Sequence, residues 1–200
     1  MRSPNTSLYF RASNRTPVPL DVFNNGVANQ SATSLASFSD LSVTIRQLQP
    51  HDIVEWLRMR EALWPQEDAA DIVNGLADYL APTQPCAVFV SEAEPGRLSG
   101  FIEVAIRSYA EGCRTDCVGY IEGWWVDEEY RQTGIGSALM HAAEAWARQQ
   151  GCNEMGSDAV VENAISQQAH QQLGYQVSET LVHFRKPLTS KGDRTPLDIR

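Results

Sequence analysis

The sequence predicts an α/β domain with a mixed central sheet, an antiparallel N-terminal half and flanking helices. Three observations carry this. Between residues 43 and 187 the strand and helix periodicities follow the order β-α-α-β-β-β-α-β-α-β. Two of the middle strand patterns are joined by a short turn and read as a hairpin, which makes the front half antiparallel. Of the 200 residues, 42% are hydrophobic, enough for one sizeable core and too many for a wholly disordered chain.

"SVTIRQL" (42–48) alternates as a strand does. Pro50 opens a helix over "HDIVEWLRMREALW", in which Ile53, Trp56, Leu57, Arg60 and Leu63 fall on or beside one face. Trp64-Pro65 ends it, because a residue before proline avoids helical backbone. A second helix fits 68–81, with Gly75 lowering its intrinsic stability. "AVFVSE", the turn "AEPGR" and "LSGFIEVAIRSY" form the hairpin, and "VGYIEGWWV" (118–126) is a strand with aromatic bulk. After Gly134, Ile135, Ala138, Leu139, Ala142 and Trp146 mark an amphipathic helix that Gly151 stops. A short strand near "EMGSDAV", a helix over "NAISQQAHQQL" and a last strand "YQVSETLVHFRK" complete the domain.

Residues 1–42 are rich in Ser, Asn, Thr and Pro without a sustained period and are expected to form a flexible extension. Residues 188–200 read as a C-terminal tail. The first twenty residues hold no continuous apolar run and are broken by prolines, unlike a secretory signal, so a cytoplasmic address is expected. No stretch approaches the roughly 18 consecutive apolar residues of a membrane span.

The net charge of −9 argues against nucleic acid as a partner and suits a cationic ligand. Each tail carries three basic and two acidic side chains, a surplus of one apiece, so the segment between them holds −11. That segment has a single lysine, Lys186. The bland reading, solubility, suffices for most of these carboxylates. Of Cys86, Cys113, Cys117 and Cys152, only Cys113 and Cys117 are close in sequence, and neither has the histidine or second cysteine pair of a zinc site nearby. Reduced thiols and no metal are expected.

"RQTGIG" (131–136) lies between a strand and a helix. Unsatisfied N–H groups and the helix dipole favour anions there, and glycines allow close approach of a ligand to backbone. It lacks the lysine of a P-loop and, with Leu139 at the third glycine position, the dinucleotide fingerprint. By itself it is as much a turn as a phosphate cradle. Arg131-Gln132-Thr133-Gly134-Ile135-Gly136 nevertheless resembles the acetyl-coenzyme-A motif of the Gcn5-related N-acetyltransferase family, and Asn163, Ser166, His170, Gly174 and Tyr175 resemble its later pattern. The element order over 43–187 is similar to that family's topology. "LWP", "SYAEGC", "YIEGWWV", "GCNEMGSD" and "ENAISQQAHQQLGY" further resemble the short, chromosome-type branch of aminoglycoside 6'-N-acetyltransferases.

The resemblance implies acetyl-CoA as co-substrate and transfer of its acetyl group to the 6'-amine of an aminoglycoside, by direct attack in a ternary complex. It also implies antibiotic resistance and a homodimer built through C-terminal strands. Trp124, Val126, residues 131–136, Asn163 and His170 would meet the cofactor, with the Val126 N–H polarising the thioester carbonyl. Glu122 stands in an apolar run where a carboxylate is costly without a partner. It would bind the amine and remove its proton, unless it only pairs with an arginine such as Arg107. Asp158 would hold another ammonium group, and Trp64, Tyr109, Asp116 and Glu179 are further candidates for the substrate wall. His170 stands where many relatives have a tyrosine; it either protonates the leaving thiolate, hydrogen-bonds the cofactor, or has no chemical part. His141 and His183 read as surface or packing residues. The competing functions are acetylation of another amine, such as a polyamine or a protein N-terminus, and a non-catalytic acetyl-CoA-binding module.

Overall fold

One sheet runs in the order β1-β2-β3-β4-β5: β1 Thr44–Gln47, β2 Cys86–Glu94, β3 Arg97–Arg107, β4 Val118–Val126 and β5 Glu154–Ser157. β1 to β4 are antiparallel neighbours; β5 lies parallel to β4, and the crossover between them is the helix α2, Ile135–Gln149. The expected antiparallel front half is therefore present. The computed structural model describes residues 43–65, 76, 77, 79, 81, 82 and 84–186. The expected extension 1–42 and tail 188–200 lie outside the described residues, as does most of the second helix. Leu76, Ala77 and Tyr79 are helical, as expected for that helix.

Helices cover the two faces because each presents an apolar stripe. α1, Ile53–Leu63, follows a 3-10 turn at Pro50–Asp52 and buries Trp56 and Met59 against Val88, Val90, Leu98 and Phe101. α2 buries Ile135, Leu139, Met140 and Ala143 against Ala87, Ile102, Val104 and Ile121 on the other face. Sealing an aliphatic or aromatic side chain this completely contributes roughly 1.5–3 kcal/mol each. The last helix, α3, spans Ala164–Gln172.

Two departures from ideal pairing shape the site. The β3–β4 register shifts so that Glu103 faces Gly123 while Val104 faces Ile121, leaving Glu122 as the extra residue of a bulge. In addition, β4 pairs with β5 only from Val118 to Ile121, although its pairing with β3 continues to Val126. The two parallel strands therefore part at Ile121 and Ser157.

One expectation is corrected. Residues 175–186 form no strand: the segment is irregular, with Val177, Leu181, Val182 and Phe184 exposed. Its residues favour strands, but strand preference is realised only against a neighbour, and none of the described strands pairs with it. The cysteines are reduced, as expected, and the fold brings Cys117 close to Cys152. Cys117 precedes β4, Cys152 precedes β5, and their sulfurs lie 2.9 Å apart as free thiols. Burial pushes the Cys152 thiol up to about 12. His141 and His183 are exposed, as expected.

Candidate active site

Beyond Ile121, the free edge of β4 faces the opening between the two strands. The Asp127 N–H donates to the Ser99 carbonyl of β3, whereas the Val126 carbonyl accepts from Arg131 Nε at 3.0 Å. Groups alternate in direction along a strand, so the Val126 N–H and carbonyl point away from β3, into the opening. Arg131 also lies over the Trp125 ring, 5.1 Å from its centroid.

The glycine turn closes one end of this opening. Gln132 has φ 62° and Gly134 φ 92°, a left-handed conformation that costs a side chain about 1–2 kcal/mol. Nothing lies within 4 Å of where a Gly134 Cβ would sit, so the glycine answers to backbone conformation and leaves open space in front. A Cβ on Gly136 would instead meet the Trp124 ring at 3.0 Å. The first helical hydrogen bond of α2 is donated by Ala138 to Gly134, so the N–H groups of Ile135, Gly136 and Ser137 have no intrahelical acceptor. The Ile135 side chain is buried in the core, which leaves only its backbone to the site; Arg131, Gln132 and Thr133 are exposed. This is an anion-binding geometry.

α3 borders the opening. Asn163 caps it, its Oδ1 accepting from the Ser166 N–H at 3.0 Å, so part of this residue's expected role is structural. His170 stands edge-on to Trp124 and Tyr175, at 5.3 and 5.4 Å. Its Nδ1 donates to the Ser166 carbonyl at 2.8 Å, and its Nε2 lies 2.9 Å from Ser157 Oγ. In the neutral ring the proton is thus on Nδ1 and the serine donates to Nε2. Trp124 Nε1 is buried with no hydrogen-bond partner among the described residues.

The acidic groups lie on the opposite side of the bulge. The Glu122 side chain is only 7% exposed and is held by both arms of Arg107: Nε–Oε1 2.9 Å and Nη2–Oε2 2.5 Å. The pairing with Arg107, one of the two readings open from the sequence, therefore exists. Burial raises the Glu122 carboxyl above its ordinary range, and Arg107 opposes that shift without cancelling it. The Arg107 guanidinium lies 3.5 Å from the centroid of the Tyr120 ring, and the Tyr120 hydroxyl donates to Asp158 Oδ1 at 2.6 Å. Burial pushes that phenol upward and keeps it a donor. Glu122 and Asp158 are thus joined through Arg107 and Tyr120.

Trp64 joins this group. It caps α1, packs over Gly123 beside Glu122, and carries the Arg60 guanidinium 4.6 Å from its ring centroid. Tyr109 and Asp116 do not join it: both are exposed in the 108–117 loop at the other end of β4. Glu179 is exposed in the irregular 175–186 segment, whose Ser178 reaches that loop at the Glu111 carbonyl. One residue was missed. Glu103 is buried in β3, takes Arg60 Nη1 at 2.6 Å and Trp56 Nε1 at 3.0 Å, and lines with Glu122 a cavity of about 30 Å³. A carboxylate in the apolar run "GFIEVAI" is the same signal that marks Glu122. Among the described residues, no group of three or more metal-ligating side chains comes together.

Residues 51–175 match the acetyltransferase (GNAT) family model. The chain is 40% identical over 146 residues to an aminoglycoside N(6')-acetyltransferase type 1 of Stenotrophomonas maltophilia, covering 72% of this chain and 94% of that protein. It is 38% identical over 151 residues to the enzyme of the same description from Klebsiella aerogenes, covering 74% and 99%. Among solved structures, AAC(6')-Iy in complex with the bisubstrate analogue CoA-S-monomethyl-acetylneamine superposes with a TM-score of 0.68 at 33% identity. That match covers 72% of this chain and 98% of the enzyme.

Proposed function

The chain belongs to the acetyltransferase (GNAT) family, and from that premise we propose that it transfers the acetyl group of acetyl-CoA to the 6'-amine of aminoglycosides, conferring resistance. The observation that carries this reading is the division of β4. One strand presents a buried carboxylate at its bulge and, four residues on, an outward-facing amide at the opening beside β5. Attack of an amine on a thioester needs those two groups within one site.

The residues at the opening suit coenzyme A. The uncapped N–H groups of α2 and Arg131 provide for a diphosphate, and the orphaned Trp124 Nε1 is a donor at the edge of the same opening. Acetyl-CoA supplies an activated acyl group and a thiol leaving group. The Val126 N–H polarises the acyl carbonyl, while Asn163 borders the pantetheine arm. Glu122 binds the substrate ammonium and takes its proton, through water, so that the neutral amine can attack; an alkyl ammonium has an ordinary pKa near about 10.4. Asp158 holds a second ammonium group, with Trp64 as the apolar wall. Tyr109, Asp116 and Glu179 contribute only at the rim. With both ring nitrogens held by Ser166 and Ser157, His170 fixes Trp124 and the end of β5. The thiolate departs without a protein acid, since a thiol such as cysteine's has an ordinary pKa of only about 8.5.

The working unit is a cytoplasmic homodimer, with residues 43–187 as the acetyltransferase domain. Val177, Leu181, Val182 and Phe184, the last 93% exposed, supply an apolar arm, and among the described strands β5 ends the sheet, leaving an edge that a partner's arm can pair. Light scattering that returns a monomer would remove this part. Release of coenzyme A with kanamycin, spermidine and a peptide, followed by mapping of the acetylated nitrogen, tests the activity. Acetylation of kanamycin at the 6'-amine, absent with the other two, is the expected result; turnover of spermidine or peptide alone would replace it.

A further inference from the structure

We propose that Arg107 is a positioning residue of the acetyl-transfer site, orienting the Glu122 carboxylate and holding it ionised for the incoming amine. The inference deepens the proposed function and rests on its assignment of Glu122.

The geometry is more specific than a chance ion pair. The guanidinium meets both Glu122 oxygens, which fixes the plane of the carboxylate as well as its charge. Its other contact is the Tyr120 ring, whose hydroxyl meets Asp158. One cation therefore sets the two acids that face the substrate, with the aromatic ring as spacer. Arg107 is 29% exposed, against 7% for Glu122, so it reaches solvent and can yield part of the carboxylate to an ammonium group without being stranded in the interior.

The need for such a cation follows from what surrounds Glu122. Arg107 and Glu103 face it from β3, Tyr120 from its own strand and Asp158 from beyond β5; Arg60, Tyr79 and Cys86 share its cavity. Burial, Glu103 and Asp158 all favour the protonated acid, and Arg107 favours the carboxylate. A protonated Glu122 can neither bind an ammonium nor accept its proton. In the step itself the substrate N–H bond breaks and its electron pair stays on nitrogen. The proton passes through water to a Glu122 oxygen, giving a neutral amine and a carboxylic acid paired less tightly with Arg107.

The test is the pH profile of kcat/KM for kanamycin in wild type, Arg107→Met, Arg107→Lys and Glu122→Gln, with thermal melting of each. Arg107→Met is expected to move the acid limb up by at least one pH unit, so that its loss well below the wild-type limb exceeds its loss well above it about tenfold. Arg107→Lys keeps the charge without the fork. It is expected to leave the limb in place and lower kcat, and it serves alone if the methionine variant does not fold. An Arg107→Met limb at the wild-type position, or an Arg107→Lys variant with wild-type kcat and KM, overturns the inference. Persistence of the wild-type limb in Glu122→Gln overturns instead the assignment of Glu122, which distinguishes the two failures.

Discussion

Glu103 and Glu122 lie on neighbouring strands around one small cavity, each paired with an arginine, yet they are differently built. Glu103 sits opposite Gly123 in the ladder; its cation, Arg60, is 4% exposed and lies against the Trp56 and Trp64 rings. Glu122 is the extra residue of the bulge, and its cation is 29% exposed. With its cation nearly sealed, the Arg60–Glu103 pair holds structure together. A pair with one open member can exchange its counter-ion for a substrate. Burial of a carboxylate is thus no mark of function; access to its partner is.

The contrast breaks first at Glu103. Glu103→Gln weakens the pairing of a nearly sealed Arg60 and should cost about 3–5 kcal/mol, read from the urea midpoint. Glu122→Gln should cost clearly less, since Arg107 retains water; equal losses would erase the distinction. Gly134→Val tests the other side of the molecule. Its left-handed backbone should cost about 1–2 kcal/mol, while KM for acetyl-CoA rises and KM for kanamycin stays near its wild-type value. The smallest effect is on stability against pH. Glu122 binds its proton more tightly folded than unfolded, so its ionisation destabilises the fold. Wild-type stability should gain from Glu122 as pH falls from its raised value toward the ordinary 4.5, and Glu122→Gln should lack that gain. A pH dependence identical in the two proteins would place the titration elsewhere.

Much of this was legible in sequence because periodicity and local rules decide it. The hairpin around the turn "AEPGR", the stripe from Ile135 to Trp146 and the stop at Gly151 all reflect short-range physics, and the structure contains each element. Glu122 stood out as a charge in an apolar strand. What the sequence hid depends on pairing between distant segments. The bulge at Glu122 exists only relative to β3, and the proximity of Cys117 to Cys152 only because β4 and β5 start side by side. Asp116 looks like a plausible third acid until β4 carries it to the far end of the strand. The 175–186 segment has strand composition but no described neighbour to realise it.

The central claim, that the bulge carboxylate of β4 takes the amine proton, is tested most directly by steady-state kinetics of Glu122→Gln with kanamycin, alongside acetyl-CoA binding by calorimetry. The predicted result is a fall in kcat/KM of about 10²–10⁴, the range for loss of a general base, with acetyl-CoA affinity unchanged. Near-wild-type turnover with intact binding would contradict it.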